Sequence, residues 1–436
     1  MKYCLDRHNM RIMGQYFLRS ATFAIFLCLY IIFFELYLSH IYPSYYYMGF
    51  YMKFSNSRFF LALFSLMIIV GFLPVQTVDF RSYALHALTL LVTLPMAVLF
   101  ACGYPVDMFF TSILATAMII IISKITLPLP KPTSTFKATA IVIFVLSSLA
   151  LVSTYLAVGD FTLTFDQHLI YAIRASHEDQ LTGLAQYAHM SATRVLLPFM
   201  LVIGLIERKS FYVYFSIIAE LVLYALTLHR TALFVPFVIL FIYYIIRLRA
   251  SPLLLSVSLL IFGSFSLFFR DSVFGFWANE LVIRRVFFIP AMLNYEYYRF
   301  FEVSRFVYWA DSKLTFGIIP YDFEISVPYL IGAQIGLPHA HANAGFLGSG
   351  YMHAGDTGIY IYAFCLGTLI ALINSRFRKM PEYGCLSAAL IIPLLWMYIS
   401  SDLPSVFLTH GMGLGILLYV LTGKPRSSSQ KFDLSP

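Results

Sequence analysis

The chain has 436 residues, of which 60% are hydrophobic and 11% are charged, and its formal net charge is +8. Soluble domains carry about 25% charged residues, so this composition excludes a soluble globular protein of this size. The apolar surface must face lipid, where only helices or a closed barrel satisfy every backbone polar group. The apolar runs have the length of membrane helices and lack the alternation of barrel strands. The sequence therefore predicts an all-α polytopic transmembrane bundle, with residues 1–436 as one integral membrane domain.

Twelve apolar runs are interpreted as membrane spans. In chain order they cover residues 21–40, 59–78, 83–102, 108–126, 138–158, 193–206, 211–228, 231–246, 251–269, 357–373, 384–401 and 405–422. The first run follows a basic start and lacks a small-residue cleavage site, so we expect a retained helix. A cytoplasmic N-terminus places most Lys and Arg residues of the short connections on the inner side. Both termini are therefore predicted to be cytoplasmic.

Two connections are long, and both are predicted to lie on the outer side. They are the first large loop, 159–193, and the second large loop, 270–356. Long connections in an otherwise tight bundle commonly carry function. Aromatic and basic residues alternate through the second loop, which predicts helices in or on the outer leaflet. Because topology explains the positive charge, we expect membrane lipid and no nucleic acid among the partners.

Basic residues on the outer face are unusual, since topology selects against them. The predicted outer arginines are Arg174, Arg230, Arg270, Arg284, Arg285, Arg299 and Arg305. Arginine makes paired hydrogen bonds with phosphate and stays charged when partly desolvated, so this set suits a lipid-linked pyrophosphate. The alternative is that the arginines bind ordinary anionic headgroups or pair with nearby acids, which are Asp271, Glu280, Glu296 and Glu302.

A second group of polar residues lies in Gly-rich chain at the end of the second loop. It contains His339, His341 and Asn343, followed by His353, Gly355 and Gly358. Histidine can accept a proton near neutral pH, as the activation of a sugar hydroxyl requires. The alternative is a flexible loop with incidental histidines. Within the spans, Glu220 is the most central acid, and we expect it to have a polar partner in the bundle.

Several local strings resemble those of one bacterial family. Arg284-Arg285-Val286-Phe287-Phe288-Ile289-Pro290 resembles the start of that family's second large loop. His341-Ala342-Asn343, Tyr351-Met352 and Gly355-Asp356-Thr357-Gly358 resemble its end, and Arg230 matches an arginine after a Thr-containing turn. The chain thus resembles bacterial O-antigen polymerases of the Wzy type, which are related to the O-antigen ligases.

The resemblance implies a metal-independent glycosyltransferase of the bacterial inner membrane with a periplasmic active site, and we expect no cofactor. Its substrates would be undecaprenyl-pyrophosphate-linked oligosaccharides, and a separate protein would regulate chain length. We predict His341 as the catalytic base, with His339 and Asp311 as rivals. The predicted pyrophosphate ligands are Arg230, Arg284, Arg285, Arg174 and Arg299. The predicted sugar contacts are Asn343, Trp309 and Tyr298.

The resemblance is incomplete, and two other functions stay open. Some family members have ten residues between an arginine of the first loop and the next glycine, whereas Arg174 is closer to Gly183. An O-antigen ligase is the nearest alternative enzyme, although its His-to-Gly-x-x-Gly spacing is shorter than that from His341. A flippase for lipid-linked oligosaccharides, or another transporter, is the alternative from a different class.

Overall fold

The computed structural model describes residues 2–164, 166, 169–170, 173, 180–312, 315–377 and 381–423. Side chains are described from residue 13 onward, except those of residues 381–383. The described chain is mostly helical and has no β-strand, although an isolated bridge joins Ser134 and Thr422. The predicted helical membrane fold is therefore confirmed at the level of its class.

The helices are numbered in chain order. They are α1 (Lys2–Leu36, continuing in helical turns to Met48), α2 (Asn56–Phe72), α3 (Phe80–Ala101), α4 (Val106–Ile122), α5 (Phe136–Val158), α6 (Gly183–Glu207), α7 (Ser210–Thr227), α8 (Thr231–Arg247), α9 (Leu253–Phe268), α10 (273–303), α11 (Val327–Gln334), α12 (Phe346–Phe377), α13 (Pro381–Leu386, continuing to Ile399), α14 (Leu403–Leu408) and α15 (Met412–Leu421).

Six of these helices are long and apolar enough to cross a membrane. They are Met13–Met48 within α1, together with α3, α5, α6, α7 and α12. Five other predicted spans coincide with shorter apolar helices, namely α2, α4, α8, α9 and residues Gly384–Ile399 of α13. The predicted span 405–422 is instead divided into α14 and α15 by a turn at Gly411, whose φ is 84°. The twelve-span topology and the orientation of the chain stay predictions.

Prolines explain the wider, π-helical turns that interrupt several helices. Within the described residues there are four such segments, Tyr37–Ile41, Thr89–Thr93, Ala192–Leu196 and Asn279–Phe288. The second residue after each segment is a proline, namely Pro43, Pro95, Pro198 and Pro290. A proline ring has no N–H to donate and collides with the carbonyl four residues earlier, so the preceding turn widens.

The chain divides into two compact units, each built from separate stretches. The first unit comprises residues 1–125, 250–371 and 395–403. Helix α3 is almost wholly buried in it and packs against α2, α4 and α10. The Tyr295 hydroxyl on α10 donates to the Met96 carbonyl on α3 at 3.0 Å. Arg19 on α1 donates to the carbonyls of Val70 and Leu73, which closes the C-terminal end of α2.

The second unit comprises residues 126–249, 372–394 and 404–436. Within it α6 packs against α5 and α7, and α15 packs against Ser387–Leu390 of α13. Buried Arg376 donates to the Thr422 carbonyl at 2.7 Å and so closes the C-terminal end of α15. The predicted single domain of residues 1–436 stays a prediction, since compact contact units need not fold separately.

Candidate functional site

Helix α12 is broken within the first unit. Ala354 (φ −156°, ψ 34°) and Gly355 (φ 61°, ψ −145°) leave the helical conformation. At the positive φ of Gly355 a residue with a Cβ would be sterically strained, so glycine is favoured there. The predicted span 357–373 is the part of α12 after this break. The part before it begins at Phe346, inside the Gly-rich segment.

The break releases backbone carbonyls, and the second large loop satisfies them. The N–H of Val307 donates to the Met352 carbonyl at 2.9 Å, and that of Tyr308 donates to the His353 carbonyl at 3.1 Å. Non-helical backbone at membrane depth is tolerated where protein buries it or where it lines a cavity, and such breaks often mark binding sites. The broken helix therefore fixes the position of residues 307–309.

His353 lies at the centre of this arrangement. Its side chain is fully buried, and its ring stacks on the Trp309 indole with centroids 5.0 Å apart. Nδ1 accepts the backbone N–H of Trp309 at 3.1 Å, so the hydrogen of the neutral ring is on Nε2. Nε2 lies 3.4 Å from Asp402 Oδ1, too far for a well-formed hydrogen bond but close enough for a charge interaction.

Asp402 joins the same hydrogen-bonded chain. Its Oδ1 accepts the Tyr362 hydroxyl at 2.6 Å, and that hydroxyl accepts the Trp309 Nε1–H at 2.8 Å. Asp311 retains an exposed surface. Partial removal from water raises the pKa of Asp311, the charge of Asp402 raises it further, and His353 lowers it. Trp309, Asp311, His353, Tyr362 and Asp402 are called the helix-break cluster below.

The predicted histidine segment borders this cluster through Tyr297. The Tyr297 hydroxyl donates to the Ala342 carbonyl at 3.0 Å, between His341 and Asn343. Burial raises the pKa of Tyr297, and the charges of Asp402 and Asp311 raise it further. Those carboxyls are therefore near the segment that carries Asn343.

The other predicted residues of the second loop lie in different surroundings. His339 and His341 are exposed, and the His341 ring lies edge-on to Tyr329 with centroids 4.9 Å apart. Tyr298 is buried, packs against Tyr351 and donates to Asp107 Oδ2 at 3.3 Å. Among the predicted catalytic and sugar-binding residues, Trp309 and Asp311 belong to the helix-break cluster.

Arg284, a predicted pyrophosphate ligand in the first unit, is held by an acid. Buried Arg284 donates twice to Glu280 Oε2, at 3.0 and 2.7 Å, and its guanidinium lies over the Tyr45 ring. Burial alone raises the pKa of Glu280, but hydrogen bonds from His40 and Tyr45 and the charge of Arg284 outweigh it and lower the pKa to about 2.

Arg299 is more accessible. Its side chain is one-third exposed, bonds to Glu296 at 2.6 Å and also bonds to the Tyr51 hydroxyl. Arg285 is exposed. Arg270 approaches Asp271 at 3.7 Å. The structure therefore contains arginine–acid pairs, as the alternative to pyrophosphate binding predicted. The side chains of Arg285 and Arg299 are nevertheless partly exposed, so an anion could reach them.

The second unit holds the predicted ligand Arg230, beside groups that the sequence analysis did not single out. Partly buried Arg230 follows His229, whose ring lies 5.8 Å from that of His189. Gly411, the residue after His410, packs closely against Ser191 and Val195, so His410 lies near Arg194. His189, Arg194, His229, Arg230 and His410 are called the basic cluster below. The predicted ligand Arg174 lies outside the described residues.

Sequence signals for the missed residues were weak. Asp402 is the acid in a short predicted turn between two spans, and Arg194 lies at a span edge, where a cation is ordinarily read as a membrane boundary. His353 was part of the Gly-rich group, but nothing in the spacing linked residues 309, 353 and 402.

Close backbone packing across the break gives a direct stability prediction. A Cβ on Gly358 would lie 2.0 Å from the Gly350 carbonyl oxygen, so Gly358→Ala must separate the two parts of α12. Overpacking of this kind costs about 1–3 kcal/mol, and we expect a lower midpoint of thermal unfolding in detergent. Gly14→Ala is the matched control, since nothing lies within 4 Å of its Cβ position. Equal midpoints for the two variants would contradict the close packing.

Comparisons with protein-family models, curated proteins and solved structures found no match. The fold defines the class of the chain as a helical membrane protein. Its function must be argued from the sites themselves.

Proposed function

We propose that the chain is an O-antigen polymerase of the bacterial inner membrane. It would act as a glycosyltransferase that joins undecaprenyl-pyrophosphate-linked repeat units at the periplasmic face during lipopolysaccharide biosynthesis. The observation that carries the proposal is the helix-break cluster, where two carboxyls and a buried histidine lie beside an indole. Carboxyls serve as acids and bases in glycosyl transfer, and an indole offers a flat apolar surface to a sugar ring.

Asp311 is the best-supported base of the three that the sequence proposed. Its exposed surface lets an acceptor hydroxyl approach, and its raised pKa makes the carboxylate a stronger base than an ordinary aspartate. The hydroxyl oxygen bonds to the anomeric carbon of the donor, and its proton passes to Asp311. The bond from that carbon to the pyrophosphate breaks, and undecaprenyl pyrophosphate leaves. His341 and His339 remain alternative bases.

The groups around Asp311 have supporting roles in this proposal. Trp309 stacks on the acceptor sugar, while His353 and Asp402 hold the indole and set the charge near Asp311. Asn343 supplies an amide for sugar hydroxyls from the bordering segment. These assignments need no metal ion, because the carboxylate takes the proton.

The proposed diphosphate ligands are arginines whose side chains are at least partly exposed. They are Arg285 and Arg299 of the first unit, and the role of Arg230 in the second unit stays a separate sequence prediction. Guanidinium groups would stabilise the charge that develops on the leaving pyrophosphate. Arg284 is held between Glu280 and Tyr45, so we propose that it orders α10 and leaves phosphate contact to its neighbour Arg285.

Deletion of the gene followed by a lipopolysaccharide gel tests the function in the cell. We expect a lipid A-core that bears a single repeat unit, because ligation continues without polymerisation. A bare core with polymer left on the carrier would indicate the ligase. Carrier-linked single units trapped inside the cell would indicate a flippase. Complementation with the wild-type gene and with Asp311→Asn is the control that links the phenotype to the site.

A further inference from the structure

Three buried oxygen-bearing side chains in the second unit lack hydrogen bonds, and the proposed glycosyl transfer uses none of them. Glu220 on α7 is 2% exposed, Thr193 on α6 is 4% exposed and Ser147 on α5 is 0% exposed. Among the described residues, both carboxyl oxygens of Glu220 and both hydroxyls have no hydrogen-bond partner. The polar partner predicted for Glu220 is thus absent from the part of the chain that the structure describes.

The three side chains lie beside one apolar cluster. Ala150, Ala192, Leu197, Ala219 and Leu223 form that cluster, where α5, α6 and α7 pack together. Ser147 is one helical turn before Ala150, Thr193 one turn before Leu197, and Glu220 one turn before Leu223. Residues three or four apart share a helix face, so each oxygen-bearing group borders the same cluster near the middle of its helix.

The π-helical turn of α6 adds a backbone oxygen beside the same apolar cluster. In a regular helix the Thr193 carbonyl would accept the N–H of Leu197, but Leu197 donates to Ala192 instead. The next donor, residue 198, is a proline and has no N–H. The Thr193 carbonyl therefore loses both helical donors. It is next in sequence to Ala192, which belongs to the apolar cluster.

Charge decides what such a group of oxygens can bind. An ionised carboxylate buried without a hydrogen bond is strongly destabilising, so it must hold either a proton or a cation. Among the described residues, no cationic side chain donates a hydrogen bond to Glu220. Carboxylate, hydroxyl and released carbonyl oxygens are the ligands of hard cations, and unwound helices bind Na⁺ in this way in membrane proteins.

We propose that Glu220, Thr193 and Ser147 form a Na⁺ site within the second unit, and that a proton on Glu220 replaces the ion when Na⁺ is absent. One bound ion would thus be coordinated by α5, α6 and α7 and would hold the three helices together. It is independent of the proposed polymerase activity, because it uses none of the residues of the helix-break cluster or the basic cluster.

Labelling with dicyclohexylcarbodiimide tests the site in the purified full-length protein. The reagent adds to protonated carboxyls in apolar surroundings and leaves an acylurea that mass spectrometry locates on a peptide. In choline chloride we expect an adduct on Glu220. Replacing choline by Na⁺ at ten times its dissociation constant should reduce the adduct about tenfold, since occupancy follows mass action. Glu35, exposed on α1, is the internal control and should label equally in both salts.

Variants separate the cation site from a buried carboxyl that only binds a proton. Glu220→Gln should lose the adduct. Thr193→Val and Ser147→Ala should keep the adduct and lose most of the protection by Na⁺, whereas the conservative Thr193→Ser should retain it. Equal labelling of Glu220 in the two salts, no labelling in either salt, or full protection in Thr193→Val would each overturn the proposal.

Discussion

Replacing Asp311 with asparagine should slow glycosyl transfer by about 10²–10⁴-fold, the usual contribution of a general base. The amide keeps the shape of the carboxyl but cannot take the proton of the acceptor hydroxyl. We therefore expect kcat to fall with little change in KM, measured with purified protein and carrier-linked repeat units. The helix-break cluster should keep its fold, because Asp311 is exposed and the hydrogen bonds of Trp309, Tyr362 and Asp402 do not depend on it.

The matched control is Asp322→Asn in the same loop. Asp322 is exposed and lies 3.8 Å from the exposed Arg305, so the loss of its charge should leave turnover unchanged. The pH profile adds a second test. Because the pKa of Asp311 is raised, wild-type activity should rise with pH through that raised value, and the variant should lose this acid limb. Full turnover in Asp311→Asn would remove Asp311 as the base, and His341→Ala in the same assay would then test the first sequence prediction.

Replacing Arg284 with alanine should destabilise the protein by about 3–5 kcal/mol, as expected when one partner of a buried ion pair is removed. Both side chains of the Arg284–Glu280 pair are at most one-tenth exposed, so the substitution would remove the buried cation from Glu280 and leave the contacts with His40 and Tyr45. The measurement is the midpoint of thermal unfolding in detergent. Arg270→Ala is the control, because its exposed contact with Asp271 should contribute at most about 1 kcal/mol.

The acid sensitivity of the same pair gives the variant a distinctive signature. The pKa of Glu280 is about 2 in the folded protein, compared with the ordinary value of 4.5 for a glutamate. A lowered folded pKa contributes stability that is complete above the ordinary value and is lost as the pH falls toward the folded one. Wild-type stability should therefore decline between about pH 4.5 and 2, and Arg284→Ala should decline less. A variant with unchanged stability and lost activity would instead support the predicted role of Arg284 in diphosphate binding.

Composition and periodicity predicted the helices well, because both follow from the need to satisfy backbone groups in lipid. The helices long enough to span, such as α5 and α7, lie within a few residues of their predicted positions. The main difference concerns Gly345–Gly355, where glycines suggested a loop. There Phe346 begins α12, since Gly348 and Gly350 pack closely against Asn294 and Ile359 and leave no room for side chains.

The candidate site was less predictable, because it depends on contacts between distant positions. The pairing of Glu280 with Arg284 could be anticipated from their spacing on one helix. The contacts among Trp309, His353 and Asp402 could not, since they require the break at Gly355 to turn one carbonyl row toward residues 307–308. The role of Thr193 was likewise not predictable from the sequence, because it depends on the π-helical turn that precedes Pro198.

The discontinuous course of the chain has a consequence for biogenesis. The second unit needs residues 404–423: Thr133 and Ser134 donate to the Leu421 carbonyl, and Arg376 donates to the Thr422 carbonyl. Residues 404–423 emerge from the ribosome long after α5 to α8. Helices α5 to α8 are therefore synthesised before the residues that complete their unit. A premature stop codon before residue 404 would remove α15 from the second unit.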